Sequence, residues 1–296
     1  MKHPRLRRFR RIAAAALATA GSLVTPGTPT GASVGDVVIS NGTVELGIHP
    51  EAHLNVPGAA SASGTTTVGV RYVPTNNEAT GAGCSCEGWG AADASSGVTG
   101  YANEATDGVV GITPVSFVTT ATTAVSVVTI DGVLEVTHDY HPSALTPNLY
   151  EVTIAIRNIG PTPVGDLRYR RVMDWDIEPT PFNEYSTVQI GTAAALLQAN
   201  NDGFATSNPL GPSTSGGVTL VTGNFVDAGP EDHGALFDFG FGPLAVGATR
   251  SFQLYFGAAG TEAAALAALG AVGAEVYSFG QPSTTTGPTN GDPNTF

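Results

Sequence analysis

The feature that most constrains this chain is the recurrence of short Val, Ile, Thr, Tyr and Phe runs broken by Gly, Pro, Asn and Asp. Such runs are too short for helices and rich in β-branched and aromatic residues, the pattern of consecutive strands and turns. They fall at 37–40, 43–49, 66–73, 109–119, 124–130, 133–140, 149–158, 164–177, 186–191, 217–222, 234–239 and 250–257. Asp131-Gly132 between two of them is a two-residue hairpin signal. Within 149–158, apolar Leu149, Val152, Ile154 and Ile156 are set against polar Glu151, Thr153 and Arg157, as in a half-buried strand. Only 261–274 breaks the pattern. It is Ala/Leu-rich and reads as a helix with Thr261 as N-cap, Glu262 at the positive dipole end, and Leu266 and Leu269 as a narrow apolar stripe. The predicted fold is all-β: an antiparallel β-sandwich, or a larger super-sandwich, with one short helix towards the C-terminus. No composition break divides 34–280, which is read as one domain, and the Thr/Pro/Gly-rich tail 281–296 as a linker or loop.

Charge narrows the partners. The formal net charge is −13, and six of the twelve basic residues lie in the first eleven positions. Beyond them six basic residues face 25 acidic ones, a balance of −19. Such a surface repels phosphate backbones, which excludes nucleic acid and anionic membranes as natural partners. The basic start is followed by thirteen mostly apolar residues, 12–24. A membrane-spanning helix needs about 20 and a signal-peptide core about 7–15. With Thr30-Gly31-Ala32 as a cleavage site, 1–32 reads as a cleaved signal peptide. The mature chain is therefore expected to be secreted, without a transmembrane segment. Gly31-Ala32-Ser33-Val34-Gly35 matches a serine-hydrolase elbow, but it lacks the strand before and the helix after that the elbow requires, so it reads as chance. Cys84 and Cys86, the two cysteines, are expected to form a local disulfide, with reduced or intermolecular thiols as the alternatives.

The stretch 167–179, LRYRRVMDWDIEP, carries the densest chemistry. As a strand it places Arg168, Arg170, Asp174, Asp176 and Glu178 on one face, and Tyr169, Met173, Trp175 and Ile177 on the other. Neighbouring carboxylates would sit about 6.6 Å apart at Cα, at the edge of the about 6.5–9.5 Å of inverting glycosidases. Asp174, Asp176 and Glu178 are thus the candidate acid and base if the chain is an enzyme. The alternative is a solvated strand end in which the arginines pair with neighbouring acids. Candidate ligand contacts are Arg170, Trp89 and Trp175. Trp89, between glycines, either stacks on a sugar ring or plugs the end of the sandwich, and the plug is the favoured reading. The sequence demands no cofactor. Glu78, Glu104 and Asp107, in two Asn-Glu-Ala-Thr loops, could hold Ca²⁺. Two histidine pairs and a single, His49/His53, His138/His141 and His233, lack any metal-site spacing, so isolated surface or hydrogen-bonded histidines are the favoured reading and a transition-metal site is the alternative. Glu231 and Asp232 are expected to raise the proton affinity of His233.

The strings CSCEGWG (84–90), YRRVMDWDIEPTPFNEY (169–185), QLYFGAA (253–259) and GAEVYSFGQ (273–281) resemble a family of secreted bacterial β-proteins that often carry a PEP-CTERM sorting segment. The likeness implies export and a β fold, and it brings no catalytic residues. In that family the Asn-Thr-Phe ending resembles the start of a last strand. A second likeness, through Asn41-Gly42 before Val44-Glu45-Leu46, is to galactose-mutarotase-like super-sandwiches, at the level of fold alone. The expected role is that of a non-catalytic secreted or cell-surface protein binding glycan or another surface component. The competing expectation is a carbohydrate-active hydrolase or epimerase using the 174–178 carboxylates.

Overall fold

The computed structural model describes residues 35–288 and 294–295. The leader read at 1–32 and the serine string around Ser33 lie outside the described residues. Every strand pairing among the described residues is antiparallel. A nine-stranded sheet runs in the order Ile112–Thr119, Ala124–Ile130, Leu134–Pro142, Leu149–Asn158, Thr249–Ala259, Asn294–Thr295, Tyr277–Gln281, Glu184–Gln189, Phe225–Glu231. A six-stranded sheet runs Leu196–Asn200, His233–Leu244, Val164–Trp175, Gly88–Asp93, Val98–Asn103, Gly108–Val110. A four-stranded sheet joins Val37–Ser40, Val44–Ile48, Val70–Tyr72 and Asn77–Glu78.

One core serves all three sheets. It unites Val136, Val152, Ile154 and Ile156 with Trp89, Tyr169, Met173 and Trp175, and with Ile39, Leu46 and Val70. The protein is therefore all-β with layered antiparallel sheets. The alternation at 149–158 is realised: Val152, Ile154 and Ile156 are buried, whereas Glu151, Thr153 and Arg157 are not. Each such apolar side chain contributes about 1.5–3 kcal/mol on burial. At the hairpin, Asp131 and Gly132 take φ of 48° and 66°, the left-handed pair that the turn requires.

Several expectations need correction. The run 217–222 forms no strand beyond the single bridge Asn200↔Thr222. The stretch 74–108, poor in β-formers, supplies Gly88–Asp93 and Val98–Asn103, two inner strands of the six-stranded sheet. Within 281–296, Ser283–Thr284 and Gly287–Pro288 pair as a small hairpin, and Asn294–Thr295 enters the nine-stranded sheet. The helix spans Glu262–Val272 with the Thr261 hydroxyl accepting from Ala264 N–H at 3.1 Å. Its buried stripe is Ala265, Ala268 and Leu269, while Leu266 is 44 % exposed, because small residues let the helix lie close to the sheet.

Candidate functional site

The 12-residue strand Val164–Trp175 lies between His233–Leu244 and Gly88–Asp93 and sorts its side chains to two faces. Tyr169, Met173 and Trp175 enter the main core, as the odd-numbered face predicts. Arg171 lies on that same face and is buried there, with its Nε 2.5 Å from Glu87 Oε1 and its guanidinium over the Phe256 ring.

From Arg170 onward the even-numbered face is buried too, which overturns the solvation of the strand end but not the pairing of its arginines with acids. Arg168, only half-buried, pairs with Asp166. Arg170 is 1 % exposed and donates to both oxygens of Asp238 and to the carbonyls of Thr206, Gly211 and Pro212. With its donors taken by the protein, Arg170 has none left for a ligand. Trp89 and Trp175 are both fully buried. They present no ring face to a sugar, and Trp89 spends its indole N–H on Glu51 O at 2.7 Å. The ligand contacts read from the sequence at Arg170, Trp89 and Trp175 are thus structural, and the plug describes Trp89 better than the stacking platform.

The three candidate carboxylates separate into two environments. Glu178 turns away to the 61–78 segment, where it accepts from Ser61 Oγ, Thr65 Oγ1 and Glu78 N–H. Asp174 and Asp176 stay together and are joined by Asp232, their nearest oxygens all lying within 4.8 Å of one another. Glu184 stands on the neighbouring strand Glu184–Gln189, its Oε1 accepting from His233 N–H at 3.1 Å. The cross-strand pairs Asp174↔Gly234 and Trp175↔His233 bring Asp232 alongside. Gly83 N–H donates to Asp176 Oδ2 at 2.9 Å, and a β-carbon at Gly83 would strike that carboxylate. Cys84 and Cys86 form the expected disulfide, and Cys84 Sγ lies 3.4 Å from Asp174 Oδ2.

No hydrogen-bond donor reaches Asp174 Oδ1, Asp176 Oδ1, Asp232 Oδ1 or Glu184 Oε2, all of them buried atoms. Burial, reinforced by Asp176, Asp232 and Glu184, holds Asp174 well above the usual carboxylate range. Burial and Asp232 push Asp176 up to about 6, and burial with Asp176 and Asp232 pushes Glu184 up to about 9. Asp232 is raised by burial and by Glu231, yet it remains partly exposed and opens the cluster to solvent. His233 is lowered, because burial outweighs the attraction of Glu231 that the sequence suggested.

As an acid/base pair the cluster is poorly made. Its carboxyl oxygens are closer than the about 6.5–9.5 Å of an inverting pair. Asp174 and Asp176 are 1 % and 0 % exposed, with no room for a sugar ring between them. The calcium trio read from the loops does not assemble either. Glu78 is held by Arg71 and by the N–H groups of Gly69 and Val70, whereas Asp107 accepts from Thr206 Oγ1 and Ser207 N–H. Glu104 faces His49 and His53 instead. The reason is the Arg71 guanidinium, which draws Glu78 into the four-stranded sheet.

Elsewhere, His138 is buried between Trp89 and Tyr169, and His141 is turned outward beside Glu151, opposite ways as their spacing predicts. A cleft of about 460 Å³ lies between His233–Leu244 and Thr249–Ala259, lined by Phe237, Phe239, Phe241, Phe252 and Phe256. Its charged groups include Arg171, already engaged by Glu87, and the carboxylate cluster does not border it. Asp232 and Glu184 are the members of the cluster that sequence reading missed, and nothing local marks either. No protein-family model and no curated protein matches the chain.

Proposed function

We propose that this chain is an exported, non-catalytic binding protein whose functional centre is a Ca²⁺ site formed by Asp174, Asp176 and Asp232, with Glu184 behind them. The observation that carries the reading is the set of three buried, unpartnered Oδ1 atoms on carboxylates that lie within 4.8 Å of one another. Buried carboxylates without donors are costly unless protonated or bound to a cation. A hard, oxygen-only donor set suits Ca²⁺, which accepts irregular carboxylate geometry better than Mg²⁺ does. Because Asp232 is partly exposed, the bound ion keeps an outward-facing position. The hydroxyl pair of a glycan fits that position, which is how the surface-binding role expected from the sequence is served without an exposed tryptophan.

Terbium luminescence tests the site. Tb³⁺ added to the chelator-treated mature chain should emit on tryptophan excitation, since Trp175 lies between the two aspartates in sequence, and excess Ca²⁺ should quench the emission. Asp232→Asn, at the partly exposed ligand, should weaken the response while leaving the fold intact. Absence of any Tb³⁺ response would mean that Asp174 and Asp176 share a proton in place of an ion. Glycan-array retention that is present in Ca²⁺ and lost in chelator supports the second half of the proposal. Retention indifferent to Ca²⁺ rejects it.

A further inference from the structure

A second constellation lies apart from the carboxylate cluster, at the turn after Val44–Ile48. The His49 and His53 rings stack with centroids 4.2 Å apart and planes 13° from parallel. Both Nε2 atoms face Glu104 Oε2, at 3.6 Å from His49 and 3.7 Å from His53. His53 is 1 % exposed, and neither of its ring nitrogens has a hydrogen-bond partner. Two imidazole nitrogens and one carboxylate oxygen thus converge within 4.8 Å of one another, an arrangement that can hold a metal ion.

The surroundings are built to hold these rings. Asp36 Oδ1 lies 2.8 Å from His49 Nδ1; with Nδ1–H donated there, Nε2 is the nitrogen offered to a metal, the carboxylate–histidine–metal arrangement. The turn is closed by His49 N–H to His53 O at 2.9 Å and Ala52 N–H to His49 O at 2.8 Å. Its carbonyls accept from buried groups on separate strands: Pro50 O from Ser126 Oγ, Glu51 O from Trp89 Nε1 and Ala52 O from Tyr140 OH. Leu54 N–H donates to Glu87 Oε2 at 2.7 Å.

We propose that His49, His53 and Glu104 form a transition-metal site that takes Zn²⁺. Two imidazole nitrogens and one carboxylate are a borderline donor set that favours Zn²⁺ over Ca²⁺. Asn55 O, 3.2 Å from His49 Nε2, or a water supplies the fourth position. Glu104 follows Val98–Asn103 of the six-stranded sheet, whereas the histidines follow a strand of the four-stranded sheet, so the ion ties the two sheets together.

The untagged mature chain, stripped with chelator, is titrated with Zn²⁺ by calorimetry and with Co²⁺ by visible absorption. The expected result is one equivalent bound tightly, a tetrahedral Co²⁺ spectrum and a rise in Tm. Glu104 is exposed, so Glu104→Gln should fold normally and weaken Zn²⁺ at least about tenfold. His49→Gln should weaken it further, and Asp36→Asn, which touches no metal, by about 10–100-fold. Tb³⁺ binding at the aspartate cluster should be unchanged in all three, which separates failure of this site from failure of that one. Zn²⁺ binding weaker than about millimolar, or binding that survives His49→Gln and Glu104→Gln, overturns the proposal.

Discussion

Arg171 and Glu87 form an ion pair inside the sandwich, Nε to Oε1 at 2.5 Å, with side chains 6 % and 0 % exposed. Glu87 also accepts from Leu54 N–H, so one pair joins the central strand to the turn that carries His53. Removing either partner leaves the other charge buried and alone, which costs about 3–5 kcal/mol. Arg171→Met and Glu87→Gln should each lower the urea midpoint accordingly. The double variant Arg171→Met/Glu87→Leu should recover most of the loss, since an apolar replacement of both partners is often neutral. A double variant as unstable as the worse single variant would show that the pair does more than neutralise itself.

Gly90 sits in the buried strand Gly88–Asp93 under the 203–212 segment. A β-carbon there would meet Ser207 O and Pro209 Cδ, and neither a carbonyl nor a proline ring can swing aside. Gly90→Ala should therefore cost about 1–3 kcal/mol through overpacking, although alanine is a residue that strands tolerate. Gly42→Ala is no fair control, because Gly42 has φ of 87°. Gly270, on the helix with open space beside it, is the better one, and Gly270→Ala should raise Tm slightly.

The contrast between these positions explains what could be read from the sequence. Strands at 124–130 and 149–158 are legible because their β-branched residues alternate with polar ones across a half-buried sheet. Gly88–Asp93 is illegible for the opposite reason. It is buried on both faces under close-packed backbone, so it carries Gly and Ala, which have no β signature. The pairing of Asp174 with Asp176 follows from period-two spacing, and their burial does not. It depends on two remote glycines, Gly203 packed against the Asp174 backbone and Gly83 against the Asp176 carboxylate. Asp232 and Glu184 reach the cluster through strand register, and Glu104 reaches the histidines through a hairpin. No local pattern encodes either meeting.

Replacing one carboxylate of the cluster should act in opposite directions with and without cation. In chelator, Asp174→Asn replaces a carboxyl that burial and three neighbouring acids force to take up a proton on folding, and it should raise the melting temperature at neutral pH. In Ca²⁺ the same change removes a ligand. Wild type should gain about 2.7 kcal/mol at one hundred times its Kd, and the variant much less. Crossing of the two melting temperatures between chelator and Ca²⁺ is the expected result. A variant less stable than wild type in both conditions would mean that Asp174 is held by contacts other than a cation.

The disulfide touches the same cluster without bracing the fold. Cys84 and Cys86 close a three-residue loop, for which the chain-entropy relation allows only about 1.6 kcal/mol. Reduction should therefore shift the urea midpoint little. Because Cys84 Sγ lies 3.4 Å from Asp174 Oδ2, it should shift Tb³⁺ affinity more visibly. Equal Tb³⁺ affinity in oxidised and reduced protein would assign the bridge to the turn alone.

Without cation, the cluster imposes a pH dependence of definite sign. Burial first and neighbouring carboxylates second raise Asp174, take Asp176 to about 6 and take Glu184 to about 9 in the folded chain. In the unfolded chain such groups titrate near about 4. Between those limits the folded state binds more protons than the unfolded one, so stability falls as pH rises. The contribution is complete below about pH 4 and is lost as pH passes about 6 and then about 9. The cluster therefore contributes less stability at about pH 8.5 than at about pH 5.5, whereas His53, His138 and His233, which burial lowers, contribute a slope of opposite sign. Glu78, raised to about 7 by burial against the pull of Arg71, adds a slope of the same sign as the cluster's, one that Ca²⁺ does not touch. The readout is therefore the difference between the chelated and Ca²⁺-saturated curves. It should widen with pH, because the ion binds the deprotonated carboxylates and removes their repulsion. Two curves that run parallel across the range would leave the aspartates with shared protons and no cation.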